Sequence, residues 1–196
     1  MKSMRILGST AFGSEKRQSR DYYATDPQAL IDFLEATKTK NDFWKGNNFW
    51  EPACGDGNLA NVLLENNWNV FQSDIFKYNN RHQVFDFLDC QKPKPKTNII
   101  TNPPYKIGQK FIEKALTLID PGYKAAFLMR IQFLESKGRH EFFQKHPPKF
   151  VYIHSSRIKI FKNNDQEKYS DAQPLCYAWF VWEKGFKGET TVRWIK

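Results

Sequence analysis

The sequence predicts an α/β fold, a mostly parallel sheet with helices on both faces, and three observations predict it. The stretch from Phe49 to Leu63 runs as strand, glycine turn and helix. A second strand, Asn69 to Ser73, delivers an acid, Asp74, about 17 residues beyond Gly57. An apolar run, Asn98 to Thr101, then ends in Asn102-Pro103-Pro104-Tyr105 and passes into another helical pattern. Strands alternating with helices give parallel sheets, whose ligands bind at the carboxyl edge.

The chain of 196 residues has 40% hydrophobic content and suits one domain better than two. Met1 to Arg20 is polar and aperiodic and is expected to be a flexible segment, with one domain over 21–196. Thr25 or Asp26 can cap a helix whose first turn holds Pro27 and whose Leu30, Ile31, Phe33 and Leu34 form its apolar side. Phe49 to Ala53 is the first strand. Cys54-Gly55-Asp56-Gly57 turns tightly, and Leu59, Val62 and Leu63 share a helix face.

Glycines at such a turn let the backbone approach a ligand, with helix N–H groups directed at it. A dinucleotide fingerprint would usually add a third glycine. Ala60 occupies a position that fingerprint permits, so a nicotinamide cofactor stays open. Asp74 at its strand end can accept ribose hydroxyls, which any adenosine-carrying cofactor presents. A solvated or capping aspartate is the plainer alternative.

Val84 to Leu88 is expected to be a third short strand and turn. After Tyr105, the positions Ile107, Phe111, Ile112, Ala115, Leu116 and Ile119 recur at helical spacing. Further strands are expected at Lys124–Met129, Phe150–His154, Leu175–Trp182 and Thr191–Ile195, with a helix around Gly138–Lys145. Ser155 to Pro174 is the longest irregular stretch, and loops of that length are uncommon without a function or disorder.

In the tetrapeptide, two prolines fix φ and remove two backbone donors, so carbonyl oxygens lack local competition. An amide, a proline carbonyl and an aromatic ring thus share one stiff turn, suited to accepting two hydrogen bonds from an NH₂ group and stacking on a flat ring. Proline pairs also end strands for structural reasons alone, as expected for Pro147-Pro148.

The formal charge of +9 and a sequence pI near 9.4 favour a polyanionic partner. Cys54, Cys90 and Cys176 are odd in number and contain no CxxC pair, arguing against disulfides and zinc and for a reducing cytoplasm. His82, His140, His146 and His154 lack metal spacing. No stretch is apolar enough to span a membrane. A monomer without metal or membrane partner is expected.

Together, Glu51 to Gly57 and Asn102 to Tyr105 resemble the cofactor and catalytic motifs of S-adenosylmethionine-dependent amino-methyltransferases, most closely the small phage-type DNA N6-adenine methyltransferases, over roughly Tyr22 to Ile195. The resemblance implies a Rossmann-like, seven-stranded methyltransferase sheet and S-adenosylmethionine as cofactor. It implies catalytic roles for Asn102, Pro103, Pro104 and Tyr105. It places the cofactor against Tyr23, Thr25, Glu51, Pro52, Ala53, Cys54, Gly55, Gly57, Asp74, Ile75, Asp86 and Phe87. The implied substrate is adenine flipped from double-stranded DNA, with Lys106, Lys110, Arg139, Arg157, Lys159 and Lys162 expected to touch nucleic acid.

Larger members of that group carry a separate target-recognition domain, which is not expected here. The same tetrapeptide also occurs in enzymes acting on RNA amines and protein glutamine amides, so these stay as alternatives, as does a non-catalytic nucleic-acid-binding module. Cytosine C5 chemistry needs a cysteine nucleophile, normally in a Pro-Cys pair, and the sequence has none.

Overall fold

A computed structural model describes residues 23–38, 43–91, 95–162 and 175–196. The flexible segment expected at the amino terminus and the larger part of the expected Ser155–Pro174 loop lie outside the described residues.

Ten strands occur among the described residues: β1 (Tyr23–Thr25), β2 (Asn48–Glu51), β3 (Asn69–Asp74), β4 (Gln83–Val84), β5 (Asn98–Thr101), β6 (Lys124–Arg130), β7 (Phe150–His154), β8 (Ile160–Lys162), β9 (Tyr177–Glu183) and β10 (Thr191–Ile195). The α-helices are α1 (Pro27–Lys38), α2 (Asn58–Glu65), α3 (Gly108–Leu118) and α4 (His140–Lys145). Eight strands form one sheet in the order β10-β7-β9-β6-β5-β2-β3-β4. All neighbours are parallel except β9, which runs antiparallel between β6 and β7. The strand expected at Thr191–Ile195 is β10, at the edge beside β7, and the sheet has eight strands where the resemblance implies seven.

The sheet is buried on both faces because its central strands carry apolar side chains at successive positions, which point alternately to opposite faces. In β9, Tyr177, Trp179 and Val181 join a core with Leu30 and Phe33 of α1 and Leu63 of α2. Ala178, Phe180 and Trp182 join another with Phe111, Ile112 and Ala115 of α3 and Phe142 of α4. The indole N–H groups of Trp50, Trp179 and Trp182 find acceptors, whereas that of Trp44 is buried without one. Trp179 donates to the Ala29 carbonyl at 2.9 Å, tying β9 to α1, and Trp50 donates to Ser73 Oγ at 2.9 Å, tying β2 to β3.

Asp26 caps α1 as expected, its Oδ1 accepting the Gln28 N–H at 2.9 Å with Pro27 in the first turn. Three expectations change. Residues 23–25 form a strand, paired antiparallel with β8, so the stretch after Ser155 contains regular structure. The third short strand shrinks to Gln83–Val84, because Asp86 Oδ1 accepts the Leu88 N–H at 2.8 Å and closes a turn. The segment before α4 is 3₁₀ at Lys137–Arg139, so that helix starts at His140.

Strand β2 has β3 on one side and β5 on the other, so chain direction through the sheet reverses between β2 and β5. That switch point is where an open α/β sheet forms its ligand crevice. Both motifs leave the sheet there.

Candidate active site

A cleft at this edge is lined by the ends of β1, β2, β3 and β5 and by the first turns of α2 and α3. It brings together Tyr23, Thr25, Glu51, Pro52, Ala53, Cys54, Asp74, Ile75, Asp86, Phe87 and the whole Asn102–Tyr105 turn. Gly55 and Gly57 form the turn beneath them with φ of 50° and 93°. A Cβ on Gly57 would lie 3.2 Å from Gln72 Oε1 in addition to adopting a left-handed backbone, so the position favours glycine twice over.

Asp74 fixes the shape of that turn. Its Oδ2 accepts the Gly55 N–H at 2.9 Å and its Oδ1 accepts the Phe76 N–H at 3.0 Å. The Cys54 N–H donates to the Ser73 carbonyl at 3.1 Å, and the Gly57 N–H to the Cys54 carbonyl at 2.8 Å. A carboxylate offers about four lone-pair directions, so these two bonds leave acceptor capacity for a diol. Burial raises the Asp74 carboxyl above its ordinary range against the lowering effect of those amides.

Glu51, at the end of β2, is only 2% exposed, and its Oε2 has no hydrogen-bond partner. Burial pushes this carboxyl well above its usual range. The Ala60 amide in the first turn of α2 opposes the shift, and the Asp74 charge adds to it. The Cys54 thiol is also pushed up, by burial and then by Glu51 and Asp74, so it is held as thiol rather than thiolate. Phe87 is buried, its ring edge-on to Trp50 at 5.0 Å and 4.9 Å from Phe111.

At the end of β5, Asn102 Nδ2 donates to Thr25 Oγ1 at 2.8 Å, which turns the side-chain oxygen away from Thr25. That oxygen is buried and has no partner. The Pro104 carbonyl accepts the Ile107 N–H at 3.1 Å and starts the short helix ahead of α3. The Tyr105 ring lies 6.0 Å from the rings of both Tyr23 and Tyr177, tilted by 39° and 40°, with the Arg130 guanidinium 4.8 Å from its centroid. Its hydroxyl makes no hydrogen bond, although Tyr177 and Asn102 lie close enough to act on it. Burial and then Tyr177 push the phenol well above its ordinary range.

The expected nucleic-acid contacts divide. Lys106 and Lys110 are exposed just beyond Tyr105, and Arg157 and Lys159 are exposed ahead of β8. The backbone of Lys162 pairs with Tyr23, so this second group borders the cleft through β1. Arg139 is turned toward its own chain: Nε donates to the Phe133 carbonyl at 2.7 Å, and Nη2 donates to Gln132 at 3.2 Å and Glu135 at 3.0 Å. Its guanidinium also covers the Phe133 ring at 4.7 Å, so it closes the turn after β6 instead of extending to the rim.

Four residues were missed by sequence reasoning. Asn58, whose Nδ2 donates to the Thr25 carbonyl at 3.3 Å, followed the glycine turn directly and could have been found by position. Arg130 was legible as a residue at a strand's carboxyl end. Tyr177 and Tyr78 had no local signal, since the first enters from an antiparallel strand and the second from a loop.

No protein-family model and no curated protein matches the sequence. Solved structures do share its fold. A class I S-adenosylmethionine-dependent methyltransferase assigned in Listeria monocytogenes aligns with a TM-score of 0.56 at 15% identity, covering 85% of this chain and 63% of that one. An assigned RNA methyltransferase of Pyrococcus horikoshii gives 0.56 at 15% identity, over 81% of this chain and 84% of that one. The type IIG restriction endonuclease BpuSI gives 0.58 at 15% identity, over 86% of this chain and 26% of that one. The chain thus has the Rossmann-like fold of the class I methyltransferases, and spans under two thirds of the Listeria protein.

Proposed function

We propose that this chain is an S-adenosylmethionine-dependent methyltransferase acting on the exocyclic N6 amine of adenine in double-stranded DNA, the base being flipped into the cleft. The observation that carries this reading is the buried, unpartnered Asn102 side-chain oxygen at the end of β5, in one cleft with Glu51 and Asp74. A buried acceptor without a partner is costly in the ligand-free protein and is answered by a ligand donor.

The residues fit the cofactor. Glu51 Oε2, buried and without a partner, answers an ammonium group, and Asp74 retains lone pairs for ribose hydroxyls. Tyr23, Thr25, Pro52, Ala53, Cys54, Gly55, Gly57, Ile75, Asp86 and Phe87 would complete the walls. When bound, S-adenosylmethionine supplies an electrophilic sulfonium methyl.

The adenine amine is a weak nucleophile because its lone pair is delocalised into the ring. Asn102 Oδ1 and the Pro103 carbonyl each accept one of its N–H bonds, which localises that pair. The same two dipoles stabilise the positive charge that grows on nitrogen during transfer. Thr25 fixes Asn102 in the orientation this requires. Tyr105 offers the stacking surface, and Lys106, Lys110, Arg157, Lys159 and Lys162 supply phosphate contacts. Residues 21–196 act as one catalytic domain.

Methyl transfer from labelled donor to DNA, RNA and protein, measured side by side with the products digested to nucleosides and amino acids, tests this reading. N6-methyladenine from DNA is expected. Label confined to an RNA amine or a glutamine amide would assign the site to that substrate. Cofactor-independent nucleic-acid binding without transfer would leave a binding module.

A further inference from the structure

Arg130 ends β6 beside the catalytic turn, with Tyr177 as its partner across the antiparallel pair. Its Nε is buried and has no hydrogen-bond partner. The ion pairs made by Glu183 involve Lys124 and Lys149, and among the described residues Arg130 has neither a carboxylate nor a carbonyl partner. Its guanidinium lies over the face of Tyr105. Arg139, nine residues further along, shows the contrast, since three backbone carbonyls accept from its guanidinium.

A guanidinium cannot shed its charge to escape this situation, because it stays protonated throughout the accessible pH range. Contact with a tyrosine face returns part of the lost hydration but offers no acceptor in the plane of the N–H groups. A partner that presents oxygen lone pairs would answer the buried Nε, and an anionic one would also match the charge. Arginine's planar fork is shaped for two oxygens of one phosphate.

A nucleotide stacked near Tyr105 carries such a group, attached through its sugar to the base whose amine faces Asn102. A glutamine side chain carries none. We infer that Arg130 anchors the phosphate of the nucleotide whose amine Asn102 holds, which makes the substrate class a nucleic acid and not a protein amide. This assignment rests on the amino-methyltransferase reading of the same cleft. It differs from the lysine rim in lying against the aromatic ring that receives the base, at the border of the cleft and not among the residues that line it.

The test is the salt dependence of binding to an adenine-containing duplex, for the wild-type chain, Arg130→Gln and Arg130→Lys, each saturated with S-adenosylhomocysteine. Arg130→Gln is expected to weaken binding at least tenfold near 0.1 M salt. Its slope of log K against log salt should be shallower by about 0.9, the value for one neutralised phosphate on duplex DNA. Arg130→Lys, which keeps the charge, should restore the slope, and cofactor affinity should stay constant across all three.

An unchanged slope in Arg130→Gln, with methyl transfer by the wild-type chain intact, would overturn the assignment and leave the adenine reading standing. Loss of cofactor affinity in Arg130→Gln that Arg130→Lys does not restore would mark a packing role and overturn it as well. A wild-type chain that methylates a protein amide and no polynucleotide would remove the adenine reading, and the phosphate assignment with it.

Discussion

The two turns that meet at the switch point are built on opposite principles. The glycine turn after β2 is closed on itself: Asp74 accepts from Gly55 and Phe76, Cys54 donates to Ser73, and Asn79 Nδ2 donates to the Asp56 carbonyl at 3.3 Å. The Asn-Pro-Pro-Tyr turn after β5 is left open. Asn102 Oδ1, Tyr105 Oη and the neighbouring Arg130 Nε are all buried without partners. One turn is a finished piece of structure, and the other, on the proposed reading, is a set of groups that a substrate satisfies. Each such orphan costs about 1–3 kcal/mol in the ligand-free protein, more if charged. Strain of this kind is characteristic of sites rather than scaffolds.

The largest expected effect separates the two turns by what each loses on mutation. Asn102→Ala removes an acceptor aimed at the amine and should lower turnover by roughly 10²–10³, the cost of deleting one donor or acceptor that acts on transition-state charge. Cofactor affinity, by calorimetry, should hold within a factor of two. The thermal midpoint should hardly move, because losing the bond to Thr25 is offset by losing a buried orphan oxygen. A large fall in midpoint would show that Asn102 is structural and break the contrast.

Asp74→Ala should do the reverse. A buried and a partly buried backbone N–H group lose their acceptor, at about 1–3 kcal/mol each. Unfolding in urea should therefore show a drop of ~2–4 kcal/mol, together with loss of cofactor binding. If stability is unaltered while cofactor affinity falls, the glycine turn holds its shape without Asp74, and that carboxylate is a ligand group alone.

The same contrast explains what was legible in the sequence. β2, β5 and β6 were found because strands buried on both faces show as short apolar runs, and β3, which is only partly buried, through Val70 and Phe71 ahead of an acid at its end. Asn98–Thr101, Phe150–His154 and Thr191–Ile195 have the bounds expected of them. β1 and β8 were not visible, since three-residue strands have too few side chains for alternation to register and they pair across more than a hundred residues. β4 was overestimated because Val84 to Leu88 has strand-like composition, whereas Asp86 bonds locally and turns the chain. The cleft residues around the glycine turn were legible as motif members. The enclosure of Tyr105 by Tyr23, Tyr177 and Arg130 was not, because it joins three strands that only tertiary structure brings together.

Glu51 is the exception within the closed turn, and it gives the smallest expected effect. Its carboxyl is raised well above the ordinary value of 4.5, by burial first and by Asp74, against the pull of the Ala60 amide. A carboxyl whose folded pKa exceeds its unfolded one binds more protons when folded, so stability falls as pH rises from the unfolded value toward the folded one. Glu51→Gln removes the ionisation and keeps the shape. The variant should therefore match the wild type below about pH 4.5 and melt higher than it near neutrality. The gain should be a few degrees, since ~1 kcal/mol moves the midpoint of a chain this size by about 2–4 °C. It should also bind the cofactor more weakly, because the unpartnered oxygen is the one proposed to meet the ammonium group. Adding S-adenosylhomocysteine should reverse the order, stabilising the wild type more than the variant by the difference in their affinities. Midpoints measured from pH 4 to 8 with and without ligand would check both signs at once. A variant less stable than the wild type at neutral pH would mean that Glu51 is already compensated inside the ligand-free fold, so that the difference between the two turns is complete rather than interrupted at this one residue.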